Sequence, residues 1–165
     1  MPQSYLEVVP ATADQLPILA NLLELYAHDF SEFRTLAIGD NGRFGYNPLP
    51  LYWLDPQRHP FLIRADGQWA GFALVQKNTG ELWDMTEFFI LRGCRRNGIG
   101  MRAAYEIWRR FPGSWQVRVM EANAPALLFW SRAIAAFAGR AIAPSKADHH
   151  GAPWSVFSFE SKPAV

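Results

Sequence analysis

The chain has 165 residues, half of them hydrophobic, with 16 Lys plus Arg against 15 Asp plus Glu and a formal net charge of +1. That length suits one domain, residues 1–165, whose core needs no covalent staples, and the balanced charge argues against nucleic acid or anionic membrane held by bulk charge. The single cysteine, Cys94, excludes an internal disulfide framework and a cysteine-based zinc site.

No run approaches 18 uncharged apolar residues, and the N-terminus lacks a basic region followed by an apolar stretch. Neither a spanning helix nor a signal peptide is expected, and a reducing, cytoplasmic setting is the simpler reading. Aromatic content is high, with seven Trp, twelve Phe and five Tyr. Such residues pack cores and line clefts or partner surfaces.

In chain order, Ser4 to Val9 reads as a first strand. Thr12 or Asp14 then caps a helix that tolerates Pro17 in its first turn. Leu16, Leu19, Leu23 and Tyr26 form its apolar stripe, which fades over His28 to Phe33. Residues 39 to 60 carry four prolines and three glycines, so regular structure is not expected across most of the segment. Its apolar residues, among them Phe44, Tyr46, Tyr52 and Trp53, suit a long loop packed on the body.

Phe61 to Ala65, a turn at Asp66-Gly67, and Trp69 to Gln76 make a hairpin. Leu82 to Leu91 adds a third strand to an antiparallel meander. The period then changes. Ile99, Ala103, Ile107 and Phe111 recur every four residues, with Arg102, Glu106, Arg109 and Arg110 on the other face, until Pro112-Gly113 stops the helix. Trp115 to Met120 is a strand. Asn123 opens a second late helix with Pro125 near its start and Gly139 at its end. Residues 140 to 143 and 154 to 159 close the chain as strands. This order implies an α/β class: a mixed, mostly antiparallel central sheet with flanking helices.

The chemistry concentrates where the strand 82–91 runs through a basic loop into a helix. Gly98 and Gly100 allow close approach to the backbone. The first helical turn offers N–H groups without partners and the positive end of the dipole, and Arg95 and Arg96 add two charges. A phosphate or pyrophosphate suits that place. A plain glycine turn with exposed arginines is the competing reading, because neither G-x-x-x-x-G-K-[ST] nor G-x-G-x-x-G is present.

FFILRGCRRNGIG resembles motif A of the GNAT superfamily of N-acetyltransferases. Arg95-Arg96-Asn97-Gly98-Ile99-Gly100 matches its [RQ]-x-x-G-x-[GA] in full. Downstream, WQVRVMEANAPALLFWSRAIAAF is similar to the family's motif B, with Asn123 and Trp130 at the expected spacing. The resemblance covers most of residues 4–160. It implies the acyl-CoA N-acyltransferase (GNAT) fold, with acetyl-CoA as donor and the amine of a small molecule or peptide as acceptor.

By that resemblance, Arg95, Arg96, Asn97, Gly98, Ile99, Gly100 and Met101 would seat the pyrophosphate. Backbone groups of Phe89, Ile90 and Leu91 would pair with the pantetheine arm, Asn123 would hydrogen-bond it, and Trp130 would pack on it. The strands of the two motifs are expected to splay and open a slot. An amine would attack the thioester directly. Glu87 is the first candidate general base and Asp84 the second, while a backbone N–H near Ile90 would stabilise the oxyanion.

Glu87 competes with a reading as a solvent-facing carboxylate. Trp130 stands where many members carry Tyr, and indole is no useful acid, so Tyr105, water or no group at all would protonate the thiolate. A catalytically weak or inactive acyl-CoA-binding domain, or an interaction module with an aromatic partner-binding loop, are the alternatives. Cys94 reads as a structural thiol. His149 and His150 read as solvated loop residues, and no metal site is expected. His28, Asp29 and Glu32 are an acidic lip for a cationic amine or ordinary surface charge. Loop 44–54 would shape the acceptor pocket or pair two subunits as a homodimer.

Overall fold

The computed structural model describes residues 2–163. Seven strands form one sheet in the order β1-β2-β3-β4-β5-β7-β6. They are β1 (Leu6–Pro10), β2 (Arg58–Ala65), β3 (Gln68–Asn78), β4 (Leu82–Ile90), β5 (Gly113–Met120), β6 (Ser145–His149) and β7 (Ala152–Ser161). Every neighbouring pair is antiparallel except β4 and β5, which run parallel. A parallel pair needs a crossover, and helix α3 (Ile99–Arg110) supplies it.

Helices cover both faces of the sheet. α1 (Leu16–Phe30) and the single turn α2 (Leu51–Leu54) lie on one face, where Leu19, Leu23, Leu49 and Tyr52 pack on Leu62, Phe72 and Phe89. α3 and α4 (Ala124–Ala138) lie on the other, where Ile107, Trp108 and Ile134 meet Trp115, Val117 and Phe157. The helix boundaries follow from local chemistry. The Thr12 amide donates to the Gln15 side chain at 2.9 Å in the turn that leads into α1. Asn123 caps α4 by accepting from the Ala126 amide at 3.1 Å, and Gly139 ends it at φ 72°.

Two arginines expected on the polar face of α3 have structural partners instead. Arg102 donates to the Ser4 carbonyl at 2.9 Å and Arg110 to the Val8 carbonyl at 3.0 Å. They fasten β1 to α3 from nearly a hundred residues away in sequence.

Three boundaries differ from the sequence reading. β2 starts at Arg58, so Pro60 lies inside a strand. The Ala11 amide donates to the Pro60 carbonyl, and the Ala11 carbonyl, which a residue with an N–H at position 60 would meet, accepts from Trp53 Nε1 at 2.9 Å instead. Residues 140–143 form no strand. Ile142 there packs on the core as a single anchor after the cap at Gly139. The strand comes later, at Ser145–His149, where a loop was expected. All five of its side chains are exposed, so it carries no apolar alternation to read, and it is held to β7 by backbone pairing. The loop expected over 39–60 does pack on the body, with Leu49 and Tyr52 nearly inaccessible.

Strands β3 and β4 approach unusually closely at Gly71. A Cβ there would lie 2.0 Å from the Phe89 carbonyl oxygen, which is backbone and cannot move aside alone. Gly71→Ala is therefore expected to destabilise the fold by about 3 kcal/mol, the upper part of the usual range for overpacking, measured by urea unfolding.

Candidate functional site

The parallel pair opens almost as soon as it forms. β4 and β5 are in register only at Trp83 with Trp115 and at Asp84 with Gln116. From Met85 onward, the β5-facing edge of β4 has no strand beside it, while β5 remains paired with β7 as far as Met120. A cleft of about 570 Å³ fills the gap, lined by residues of both strands, by α1, α4 and the β6–β7 hairpin, and by the loop after α1.

A bulge sets which side chains point into it. Leu74 pairs with Glu87 but Val75 pairs with Met85, so Thr86 is an extra residue in β4. Met85 packs in the α3/α4 core and Phe89 in the α1 core. Glu87 thus shares the α1 face with Phe89, which a strand of uniform period would also give, while the bulge moves Met85 to the opposite one.

Glu87 lines the cleft, and both its oxygens are held. The Tyr26 hydroxyl donates to Oε2 at 2.6 Å and the Tyr46 hydroxyl to Oε1 at 3.3 Å. Burial pushes the Glu87 carboxyl above its ordinary value, and the two phenol hydrogen bonds offset this only in part. Burial and the neighbouring carboxylate keep both phenols protonated, hence reliable donors. Tyr52 donates to Thr86 Oγ1 at 3.1 Å, which fixes the bulge residue. The sequence reading placed Tyr26 only in an apolar stripe and Tyr46 only in a packed loop. Neither phenol's carboxylate partner has a local signal, because each lies at least 41 residues away.

Asp84 does not line the cleft. It is 2 % exposed, and its Oδ2 accepts from Arg118 at 2.8 Å and from Gln116 at 3.1 Å. It orients Arg118 and is unavailable as a base. Tyr105 is likewise committed, since its hydroxyl donates to the Ala133 carbonyl at 3.2 Å outside the cleft.

The motif loop presents its amides outward. Arg95 to Gly98 are exposed, and Arg96 and Gly98 turn the chain through left-handed conformations at φ 71° and 72°. Among the described residues, no backbone carbonyl accepts from the amides of Arg96, Asn97, Gly98, Ile99, Gly100 or Met101. These N–H groups, at the start of a twelve-residue helix, suit an anionic diphosphate. Gly100 has a different reason to be glycine: a Cβ would press to 3.2 Å from the Phe129 ring. The Ile99 side chain is buried, and Met101 packs against the same core.

The Arg95 guanidinium does not face outward with those amides. Its Nε donates to the Ile90 carbonyl at 2.8 Å, and its Nη2 meets Asp29 at 2.5 Å. Arg92 holds the other oxygen of Asp29 at 2.6 Å. Asp29 thus clips the end of α1 to the motif loop, a role that neither an acidic lip nor plain surface charge describes.

The open edge of β4 carries fewer free backbone groups than expected. The Leu91 amide donates to the Ala70 carbonyl of β3 at 2.8 Å. By strand alternation, Phe89 and Leu91 direct their backbone groups to β3, and Phe88 and Ile90 direct theirs to the cleft. The Ile90 carbonyl is taken by Arg95, so its N–H is the group left facing the gap. Trp130 lines the cleft from α4, edge-on to Phe88 at 5.0 Å. Asn123 lines it too, with its side-chain oxygen occupied by the α4 cap and its side-chain nitrogen without a partner among the described residues. His149 stands at the end of β6 and borders the cleft, whereas His150 occupies the hairpin turn at φ 52°. Among the described residues, no group of three or more His, Cys, Asp or Glu could hold a metal, and no helix is long and apolar enough to cross a membrane.

The Asp29 clip has a pH signature. Burial opposes ionisation of Asp29, but hydrogen bonds and charge from Arg92 and Arg95 outweigh it and hold the carboxyl below 3.8. A depressed pKa adds stability that is present above the unfolded value and is lost as pH falls through the folded one. Asp29→Asn is expected to cost about 1 kcal/mol at neutral pH, allowing for solvent screening of the exposed guanidinium ends. In urea unfolding, the gap to wild type should close as pH falls through the depressed value.

Known proteins give the architecture a family. A model of the acetyltransferase (GNAT) family matches residues 19–134. No curated protein matches the chain. Among solved structures, an acetyltransferase from Thermus thermophilus has a TM-score of 0.70 and 17% identity, over 97% of this chain and 99% of that one. A putative acetyltransferase from Salmonella typhimurium, solved with its cofactor acetyl-CoA, has a TM-score of 0.63 and 11% identity, over 95% of this chain and 94% of that one. Spermidine N-acetyltransferase from Vibrio cholerae, in complex with CoA and spermine, has a TM-score of 0.64 and 11% identity, over 94% and 95%. At such identities the likeness is one of fold. The family model spans more than half of the sequence, and the chain belongs to the GNAT family of acetyltransferases.

Proposed function

We propose that this chain transfers an acetyl group from acetyl-CoA to a primary amine bound in the cleft between β4 and β5. The observation that carries the reading is the carboxylate of Glu87, half-buried, held by two phenols and raised in pKa, on the wall of a cleft that opens where the parallel strands part. The unpartnered amides of Arg96 to Met101 would hold the diphosphate, with the exposed Arg96 side chain beside them. Arg95 acts one step behind, as the strut that fixes the loop to Asp29 and Ile90. The Ile90 and Phe88 backbone and the Asn123 amide nitrogen would meet the pantetheine arm.

The chemistry follows from these placements. Glu87 takes a proton from the ammonium, directly or through water, and the free amine attacks the thioester carbonyl. A C–N bond forms and the C–S bond breaks. The Ile90 N–H is the group placed to donate to the developing oxyanion. The attacking nitrogen sheds its second proton to solvent as the amide forms, and the leaving thiolate takes one from solvent, because Trp130 offers no acid and Tyr105 is bonded elsewhere. The aromatic loop serves this cleft with Phe44 and Tyr46, which favours the enzyme reading over a partner-binding module. Trp130 at the family's tyrosine position is the one feature that favours a weak or inactive acyl-CoA binder.

Calorimetry with acetyl-CoA and thiol release across an amine panel separate these readings. Binding with no release from any amine would favour the inactive binder. Glu87→Gln is expected to lower kcat/KM by about two to three orders of magnitude while leaving acetyl-CoA affinity within a few-fold, as loss of a general base does. In the wild type, kcat/KM should rise with pH through the raised Glu87 pKa, and that limb should vanish in the variant. Stability carries the opposite sign. The folded state holds this proton more tightly than the unfolded chain, so the fold weakens as pH rises from 4.5 through the raised value. Thermal unfolding of Glu87→Gln against wild type should show that slope removed.

A further inference from the structure

The acceptor side of the cleft has donors in excess. Both Glu87 oxygens already accept from tyrosines. Arg118, on β5 just past the point where the strands part, uses Nη2 to hold Asp84 at 2.8 Å. No other hydrogen bond from its guanidinium is formed among the described residues, although arginine carries five N–H donors. Its side chain is 43% exposed, lines the cleft, and lies close enough to Glu87 for its charge to be felt there. Arg34 lines the same cleft with no ion-pair partner among the described residues. The buried Trp154 Nε1, on a third wall, has no acceptor among the described residues.

Among side chains, few open acceptors stand against these. Asp148 is at the exposed rim, and one of its oxygens takes the Gly151 amide at 3.1 Å. The remaining wall is aromatic and apolar, with Tyr26, Phe30 and Phe44. A polyamine, which brings donors and positive charge throughout, meets the wrong partners here. The fitting molecule brings an amine to Glu87, an anionic oxygen group to Arg118, and an apolar body to the aromatic wall.

We infer that the acceptor is a free α-amino acid with an apolar side chain, its carboxylate held by Arg118. Asp84 and Gln116 position that guanidinium from behind, and Arg34 adds a second positive charge to the cleft. This inference rests on the acetyltransferase reading and names its substrate class. The two functional groups of an α-amino acid are one carbon apart, which suits a cation and a base on neighbouring strands at the mouth of their divergence.

The test uses the intact protein. Acetyl-CoA binding is measured first by calorimetry. CoA release is then followed with L-phenylalanine, L-methionine, phenethylamine and spermidine, each rate corrected for its fraction of free amine. The expected result is a kcat/KM for L-phenylalanine about tenfold or more above that for phenethylamine, the effect of a charge-assisted contact. Arg118→Gln should bring that ratio towards one, and Arg118→Lys should retain part of it. A ratio taken within one preparation does not depend on how much of the variant is folded. Equal or better turnover of phenethylamine or spermidine overturns the inference and leaves the transferase reading intact. Acetyl-CoA binding with neither amino acid acetylated also overturns the inference, and with none of the four amines acetylated it favours the inactive binder as well. Failure to bind acetyl-CoA overturns both.

Discussion

A two-residue stretch of parallel pairing governs this molecule. β4 and β5 touch at Trp83–Trp115 and Asp84–Gln116 and then part. Elsewhere the sheet satisfies its backbone by continuous antiparallel pairing, so the gap is the one internal edge where main-chain groups lack a strand among the described residues. Aromatic side chains line the gap at both ends. Trp83 stacks on Trp115 at the closed end, and Phe88 meets Phe129 and Trp130 of α4 along the open one. A vacant strand position of this kind suits an extended chain that brings its own backbone groups.

The charge arrangement around that gap is conservative in the electrostatic sense. Several ionised groups along that gap are held by fixed partners. Asp84 locks Arg118, Asp29 locks Arg92 and Arg95, and Tyr26 with Tyr46 locks Glu87. Groups held in this way need not reorganise when charge develops in a transition state. Glu87 differs from the others because its partners are neutral. Burial raises its pKa, whereas ion pairing lowers that of Asp29.

Much of this was legible in the sequence, for identifiable reasons. The meander, both late helices and their caps follow from short-range rules, and the motif residues Arg95 to Gly100 sit in a strand-to-helix turn where local pattern decides the geometry. What was not legible depends on distant partners. Arg95 and Arg96 look alike in a string, and only Asp29, sixty-six residues away, distinguishes the strut from the exposed neighbour. The bulge at Thr86 is invisible to a period-two reading. β6 escaped because an exposed edge strand obeys no apolar alternation, and residues 140–143 misled because the three apolar positions Ala141, Ile142 and Ala143 mimic a strand. Asp84 looked like a base because nothing local reveals that Arg118 and Gln116 converge on it.

The long reach of Arg102 and Arg110 to the first strand bears on how the protein is made. On the ribosome, β1 emerges before all of its partners, and the carbonyls of Ser4 and Val8 wait for guanidinium groups encoded about a hundred residues later. Its sheet neighbour β2 lies some fifty residues downstream. The nascent chain therefore carries the core residues Leu6 and Val8 across that stretch before the first of their strand contacts exists. Its final docking is a late, post-meander event, and the N-terminal segment is the place where a chaperone has most to protect.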